Sequence, residues 1–140
     1  MKGVEEIFYQ DRCIALVFRK DIPLHEGVQF LTTPDNPFQI GVHLAPTGKV
    51  MQPHFHRLDA PLTIETVEEI LMVQSGKVAV SLYNASGDVI SRIELEAGES
   101  ILLMHEGHGV EILEEARIFE VKQGPYPGAS KAKIYVQPHS

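Results

Sequence analysis

The stretch EILMVQSGKVAVSLY, residues 69–83, consists of two apolar runs on either side of the turn dipeptide Ser75-Gly76. Every position from 70 to 73 is apolar, so a strand formed here has two apolar faces. A strand that is half exposed to water carries polar residues on one face instead. The pattern therefore predicts two strands, Glu68–Gln74 and Lys77–Tyr83, of which the first is covered on both sides.

The same period-two alternation continues on both sides of this stretch, in short segments separated by glycine, asparagine and proline. The loop from Asn84 to Asp88 has the composition of a hairpin connection. Eight short strands predict an all-β fold, a barrel or jelly roll that limits exposed sheet edges. The other predicted strands are Phe38–Ala45, Val50–His56, Val89–Leu95, Ser100–Met104, Gly109–Leu113 and Arg117–Lys122.

The apolar outer face of the strand at residues 68–74 requires a cover. Either the N-terminal segment, with Cys13–Phe18 and Val28–Leu31, folds over it, or a second subunit packs there. We predict a homodimer. For residues 2–12 the pattern is too short to decide between a helix and an extra strand.

Length and composition fit one globular domain spanning residues 1–140. Apolar residues make up 44% of the chain and charged residues 22%. The net charge of −7 opposes binding to nucleic acid, whose affinity depends on cationic contacts to phosphate. No apolar run is long enough to cross a bilayer, and Met1–Glu6 has no secretory pattern, which predicts no membrane partner. The single cysteine, Cys13, lies in an apolar segment and is expected to be inert, which favours a cytoplasmic location.

Two histidines separated by one residue, His54 and His56, suggest a metal site. In an extended strand the side chains at i and i+2 leave the same face, with Cα atoms about 6 to 7 Å apart. Glu69 begins the next apolar run, and His108 lies between two glycines further along the chain. Three imidazoles and one carboxylate suit a divalent first-row transition metal, Fe, Mn, Ni or Zn. The alternative to a metal site is a structural role, in which His54 and His56 form hydrogen bonds and Glu69 forms a salt bridge.

The spacing of these residues resembles the first motif of the cupins, which are small β-barrels. That motif reads glycine, five residues, His-x-His, a short spacer, glutamate, six residues, glycine, and it matches Gly48, His54, His56, Glu69 and Gly76. The spacer of twelve residues between His56 and Glu69 is longer than in the motif. Gly98 and His108 fit the second motif loosely, and its proline, glycine and asparagine are absent. The ending at residues 119–126 is similar to those of small cupins associated with surface-polysaccharide biosynthesis.

The resemblance implies a cupin-type double-stranded β-helix, or jelly-roll barrel, with its core at about residues 38–126. Residues 1–37 would then pack on or extend this barrel, and residues 127–140 would form a tail. It also implies that His54, His56, Glu69 and His108 bind the metal, and that a small polar metabolite, such as a sugar derivative, is bound or transformed. Lewis-acid isomerisation and oxygen-dependent chemistry both fit such a site. A metal-free sugar epimerase with a histidine base and a non-enzymatic ligand-binding or sensing module remain as alternatives.

Overall fold

The computed structural model describes residues 1–139, and this part of the chain contains eight strands and one short helix. Strands account for 46% of the chain and helix for 3%, so the predicted all-β class is confirmed. The elements are β1 (Val4–Tyr9), β2 (Arg12–Phe18), β3 (Gly27–Phe30), β4 (Gly41–Leu44), β5 (Glu69–Tyr83), β6 (Val89–Glu96), β7 (Ser100–Leu103), β8 (Gly107–Lys122) and α1 (Ala129–Ala132).

Contacts within the chain divide it into two compact units. The larger unit comprises Met1–Ile22 and the chain from Thr66 onward, and the smaller comprises Pro23–Glu65. The larger unit contains one antiparallel sheet in the order β1-β2-β7-β5-β6, with β8 paired to the other edge of β5. In the smaller unit β3 and β4 form an antiparallel pair, in which Gly27 lies opposite Leu44 and Phe30 opposite Gly41.

The central strand β5 is bent back on itself. Its first arm, Glu69–Val73, pairs with β7, and its second arm, Lys77–Tyr83, pairs with β6, while β8 follows both arms. His108 of β8 lies opposite Leu82, yet its Nε2 atom is 3.8 Å from Oε2 of Glu69. In a straight strand Glu69 and Leu82 would be about 44 Å apart. The two arms therefore face each other, which produces a curled, half-barrel sheet.

The bend occurs at Ser75-Gly76, where the sequence predicted a turn between two separate strands. The register against β8 shifts between Val73 and Val78, as in a β-bulge. Gly76 has φ +80°, and a Cβ atom there would overlap the carbonyl oxygen of Glu115. Only glycine fits this close approach. With glycine at this position the chain continues through the bulge, so β5 bends here and does not end. The predicted strands at 68–74 and 77–83 are thus one strand, and those at 109–113 and 117–122 are likewise one strand, β8.

The hydrophobic core lies between the two arms. Leu71 and Val73 of the first arm and Leu82 of the second belong to one buried cluster. The first arm is also buried on its other face, where Ile70 is 8% exposed, as the apolar pattern predicted. The remaining strand residues of the core are Ile14, Ala15, Val17, Val78, Val80, Ile93, Leu95, Ile101 and Leu103.

Two regions differ from the prediction. The segment Cys13–Phe18 lies within the sheet as part of β2, paired with β7, and does not fold over the sheet face; β1 extends the same sheet. Val50–His56 is not a strand, and every residue from 43 to 67 is exposed. Pro53 removes a backbone donor from the middle of that segment, and no neighbouring strand pairs with it within residues 1–139. The loop Asn84–Asp88 is confirmed as a hairpin connection, because the Asn84 side chain accepts hydrogen bonds from the amides of Ser86 and Asp88.

Candidate functional site

The fold-back of β5 brings together two of the four predicted ligands, Glu69 and His108. Glu69 begins the first arm, opposite Leu103 of β7 and Lys122 of β8. His108 lies near the start of β8, beside the end of the second arm. Their side chains are 12% and 34% exposed, and Nε2 of His108 lies 3.8 Å from Oε2 of Glu69. Residues 39 positions apart in sequence are therefore neighbours at one end of the curled sheet.

A second carboxyl group, that of Glu120, completes this group; we refer to Glu69, His108 and Glu120 as the Glu69 cluster. Glu120 lies in β8 opposite Leu71, one alternation before Lys122, so its side chain points to the same face as Glu69. A hydrogen bond between the side chains of Glu69 and Glu120 contributes to the opposite pKa shifts of the two carboxyl groups.

The pKa of Glu69 is raised to about 7, first because the group is buried and then because it is bonded to and repelled by Glu120. The pKa of Glu120 is lowered, chiefly by the hydrogen bond that it accepts from Glu69. The two shifts describe one arrangement, in which Glu69 carries the shared proton and Glu120 carries the negative charge. If a cation replaced this proton, both groups would be carboxylates, and the cation would offset the repulsion between them.

The imidazole of His108 is neutral near pH 7, because burial lowers its pKa. The charge of Glu120 opposes this shift, and the charges of Lys133 and Lys122 add to it. A neutral imidazole keeps a lone pair, which is the form that binds metal ions.

Two lysines flank the Glu69 cluster. Nζ of Lys122 is 3.8 Å from Oε2 of Glu120 and lies 4.9 Å from the centre of the Tyr126 ring. Lys133 follows α1, and its positive charge acts on all three members of the cluster. The site is therefore mixed in charge, with two carboxyl groups, one neutral imidazole and two ammonium groups.

The other two predicted ligands, His54 and His56, lie in the smaller unit. Both are exposed, and their ring centres are 4.9 Å apart in an edge-to-face arrangement. Nδ1 of His54 is 2.8 Å from the carbonyl oxygen of Gln52. Because a carbonyl only accepts, Nδ1 is the donor in this contact. The rings are neighbours although the strand expected to align them is absent.

Within residues 1–139, no group of three or more histidine, cysteine, aspartate or glutamate side chains is arranged to hold a metal ion. The structure thus brings Glu69 and His108 together in one unit and describes the His54–His56 pair in the other. Sequence reasoning missed Glu120 and Lys133. For Glu120 a signal existed in the alternation Ile118, Glu120, Lys122, which places charge on a face that is otherwise apolar.

Cys13 does not contribute to the site. Its thiol is partly buried, and burial followed by the charge of Glu6 raises its pKa. A raised pKa lowers the fraction of reactive thiolate, in keeping with the inert role expected of this residue.

Comparison with known proteins gave no match: no family model, no curated protein and no solved structure is similar to this chain. No helix in the described part of the chain has both the length and the apolar character required to span a membrane.

Proposed function

We propose that this protein is a metal-binding protein of the cupin type, which binds or transforms a small polar metabolite such as a sugar derivative. The observation that carries the proposal is the meeting of Glu69 and His108, 3.8 Å apart, at one end of a curled antiparallel sheet.

The chemistry of the Glu69 cluster fits a divalent cation. Burial, followed by the hydrogen bond and the negative charge of Glu120, raises the pKa of Glu69 to about 7. A divalent ion would allow both carboxyl groups to ionise, and the neutral imidazole of His108 would supply a nitrogen donor. Mixed nitrogen and oxygen donors of this kind suit Fe, Mn, Ni or Zn.

We propose His54 and His56 as the remaining ligands. In support, the two rings are adjacent, with their centres 4.9 Å apart. The curled sheet also supports the cupin-type jelly roll, since β5 and β8 each cross between two facing arms. A bound metal ion would supply Lewis acidity, polarising a hydroxyl or carbonyl oxygen of the metabolite. The protein's own groups would position that metabolite, and the Glu69–Glu120 pair would hold or release one proton beside it.

Elemental analysis of the purified protein tests this proposal. After incubation with Mn, Fe, Ni or Zn and gel filtration, we expect about one ion per chain in the wild type. His108→Ala and the double variant His54→Ala/His56→Ala should both lose the ion. The matched control is His105→Ala, a histidine three residues from His108 that lies outside the Glu69 cluster.

Three results would contradict the proposal. A wild-type protein that takes up less than about a tenth of an ion per chain is not a metal protein. If His54→Ala/His56→Ala retains the full metal content while His108→Ala loses it, the histidine pair is not part of the site. Uptake that is identical in all four proteins points to nonspecific binding.

A metal-free enzyme is the second candidate, favoured by the pKa of about 7 at Glu69. A carboxyl group with such a pKa exchanges a proton readily at neutral pH, as a general acid or base must. His108 would then orient or share that proton. The metal analysis separates the two candidates, because this one predicts turnover by a wild-type protein that contains no metal and is unaffected by a chelator.

A further inference from the structure

After β8 the chain passes from one arm of the curled sheet to the other. β8 ends at Lys122, which lies opposite Glu69 at the start of the first arm. Residues 133–139, which follow α1 and which we call the C-terminal strap, contact the loop Asn84–Asp88 at the end of the second arm. Because the two arms face each other, the segment between β8 and this loop crosses the end of the sheet. That is the end at which Glu69 and His108 meet.

The strap lies directly against the residue that precedes His108. A Cβ atom on Gly107 would be 2.7 Å from Cγ2 of Val136, so the valine side chain occupies the space that a side chain at Gly107 would need. Gly107 is paired with Tyr83, the last residue of the second arm. The strap therefore packs on β8 next to the position from which the imidazole of His108 projects.

A second attachment joins the strap to the loop after the second arm. The carbonyl oxygen of Gln137 lies so close to Gly87 that a Cβ atom on the glycine would overlap it. The amide of His139 donates to the carbonyl oxygen of Gly87 at 3.4 Å, and Nε2 of His139 is 3.2 Å from Oδ1 of Asp88. The strap is thus fixed at two places, each of which requires a glycine.

These attachments bury little apolar surface. Within residues 133–139, Val136 is half-buried and the other residues are exposed, including Ile134 at 99% and Tyr135 at 71%. None of the four residues of α1 is buried. Segments with few buried apolar contacts open at a small free-energy cost while the rest of the protein stays folded. The strap can therefore detach without unfolding the sheet.

We infer that the C-terminal strap is a movable cover over this end of the sheet. Attached, as in the structure, it limits access to Glu69 and His108, whose side chains are 12% and 34% exposed. Released, it opens the way for a small polar metabolite to reach them. The role in ligand entry rests on the function proposed above, whereas the shielding of His108 is a property of the protein without ligand or metal.

Chemical modification of histidine tests the inference. Diethyl pyrocarbonate reacts with imidazoles that solvent reaches, and mass spectrometry of peptides gives the rate at each histidine. Gly107→Ala and Gly87→Ala each place a Cβ atom against the strap. We expect the rate at His108 to rise about tenfold in each variant, because an overpacked contact shifts the equilibrium towards the released strap by about that factor. The rate at His105 should not change.

Each strap variant has a matched control. Gly98→Ala matches Gly87→Ala, because the two glycines have φ +87° and +85° but a Cβ atom on Gly98 has no contact closer than 3.6 Å. Gly109→Ala matches Gly107→Ala, because Gly109 flanks His108 on its other side and a Cβ atom there is 3.6 Å from Cε2 of Tyr83. In both controls His108 should react as in the wild type.

Equal reactivity of His108 in the strap variants and their controls overturns the inference. If the rate at His105 rises together with that at His108, the variant has unfolded, and Val136→Ala decides the question because it removes a contact and adds no atom. Faster modification of His108 alone in Val136→Ala supports the cover, and an unchanged rate overturns it. The test uses neither metal nor ligand, so its failure leaves the proposed function standing, and a failure to take up metal leaves the shielding of His108 unaffected.

Discussion

Replacing Glu69 by glutamine should change how the stability of the apo protein depends on pH. The folded protein holds a proton on Glu69 up to a pKa of about 7, whereas the model value for a glutamate is 4.5. Between these values the folded state binds more protons than the unfolded state, so stability falls as pH rises. The stabilising effect is fully present below pH 4.5 and is lost once the pH passes 7.

The magnitude follows from the two pKa values. Between pH 5 and pH 8, the difference in the number of protons bound by the folded and unfolded states, integrated over pH, is about 1.8. At 1.36 kcal/mol per pH unit this corresponds to about 2.5 kcal/mol of stability. This is an upper limit, because the proton is shared with Glu120, whose pKa moves in the opposite direction. In Glu69→Gln the group no longer titrates. The loss of stability from pH 5 to pH 8 should therefore be smaller than in the wild type by about 1 to 2.5 kcal/mol.

The assay is urea unfolding at pH 5 and pH 8 with a chelator present, for the wild type, Glu69→Gln and a control, Glu115→Gln. Glu115 is an exposed residue of β8, the strand that carries Glu120, so its variant should follow the wild type. Comparing differences between proteins cancels the contributions of the other titrating groups. Glu120→Gln should give an intermediate result, because burial, the largest cause of the Glu69 shift, remains. If Glu69→Gln and the wild type show the same pH dependence, Glu69 does not hold the proton and the description of the Glu69 cluster is wrong.

Two further predictions concern the fold. Gly76→Ala should lower the free energy of unfolding by more than about 1 to 2 kcal/mol, which is the cost of a positive φ alone, because the new Cβ also overlaps the carbonyl oxygen of Glu115. Urea unfolding measures the loss. Gly98→Ala is the control that separates the two costs, since Gly98 has φ +87° and a Cβ there has no contact closer than 3.6 Å. Equal losses in both variants would mean that the bend at Gly76 is not closely packed. Leu82→Ala, at a side chain that is 0% exposed, should cost about 3 to 5 kcal/mol, and Leu58→Ala, at a residue that is 76% exposed, less than about 0.5 kcal/mol. A small effect at Leu82 would contradict the position of the core between the two arms.

Alternation of apolar residues was sufficient to predict where most strands lie, because strands in a packed sheet need one or two apolar faces. It did not reveal that Ser75-Gly76 continues a strand, since a glycine with positive φ serves a turn and a bulge equally well. The same pattern failed for Val50–His56. Alternation describes what a strand would bury, but a strand also needs a neighbour for its backbone hydrogen bonds, and sequence does not show whether one is present.

The candidate site was predictable only in part. Glu69 and His108 were identified from their distances to glycines along the chain, and the bend in β5 makes them neighbours. Glu120 was missed because its proximity to Glu69 depends on the register between β5 and β8, which bulges shift and which no local pattern encodes. Lys133 was missed for a similar reason, since it lies after α1 and no local pattern relates that segment to the sheet.

The pairing of β2 with β7 fixes an order of assembly during synthesis. Ala15 lies opposite Leu103 and Val17 opposite Ile101, and all of these side chains are at most 4% exposed in the finished structure. β7 follows β2 in the chain by about 80 residues, so the edge of β2 that pairs with β7 stays without its partner strand until β7 has been made. During this interval the unpaired edge of β2 is open to pairing with strands of other chains.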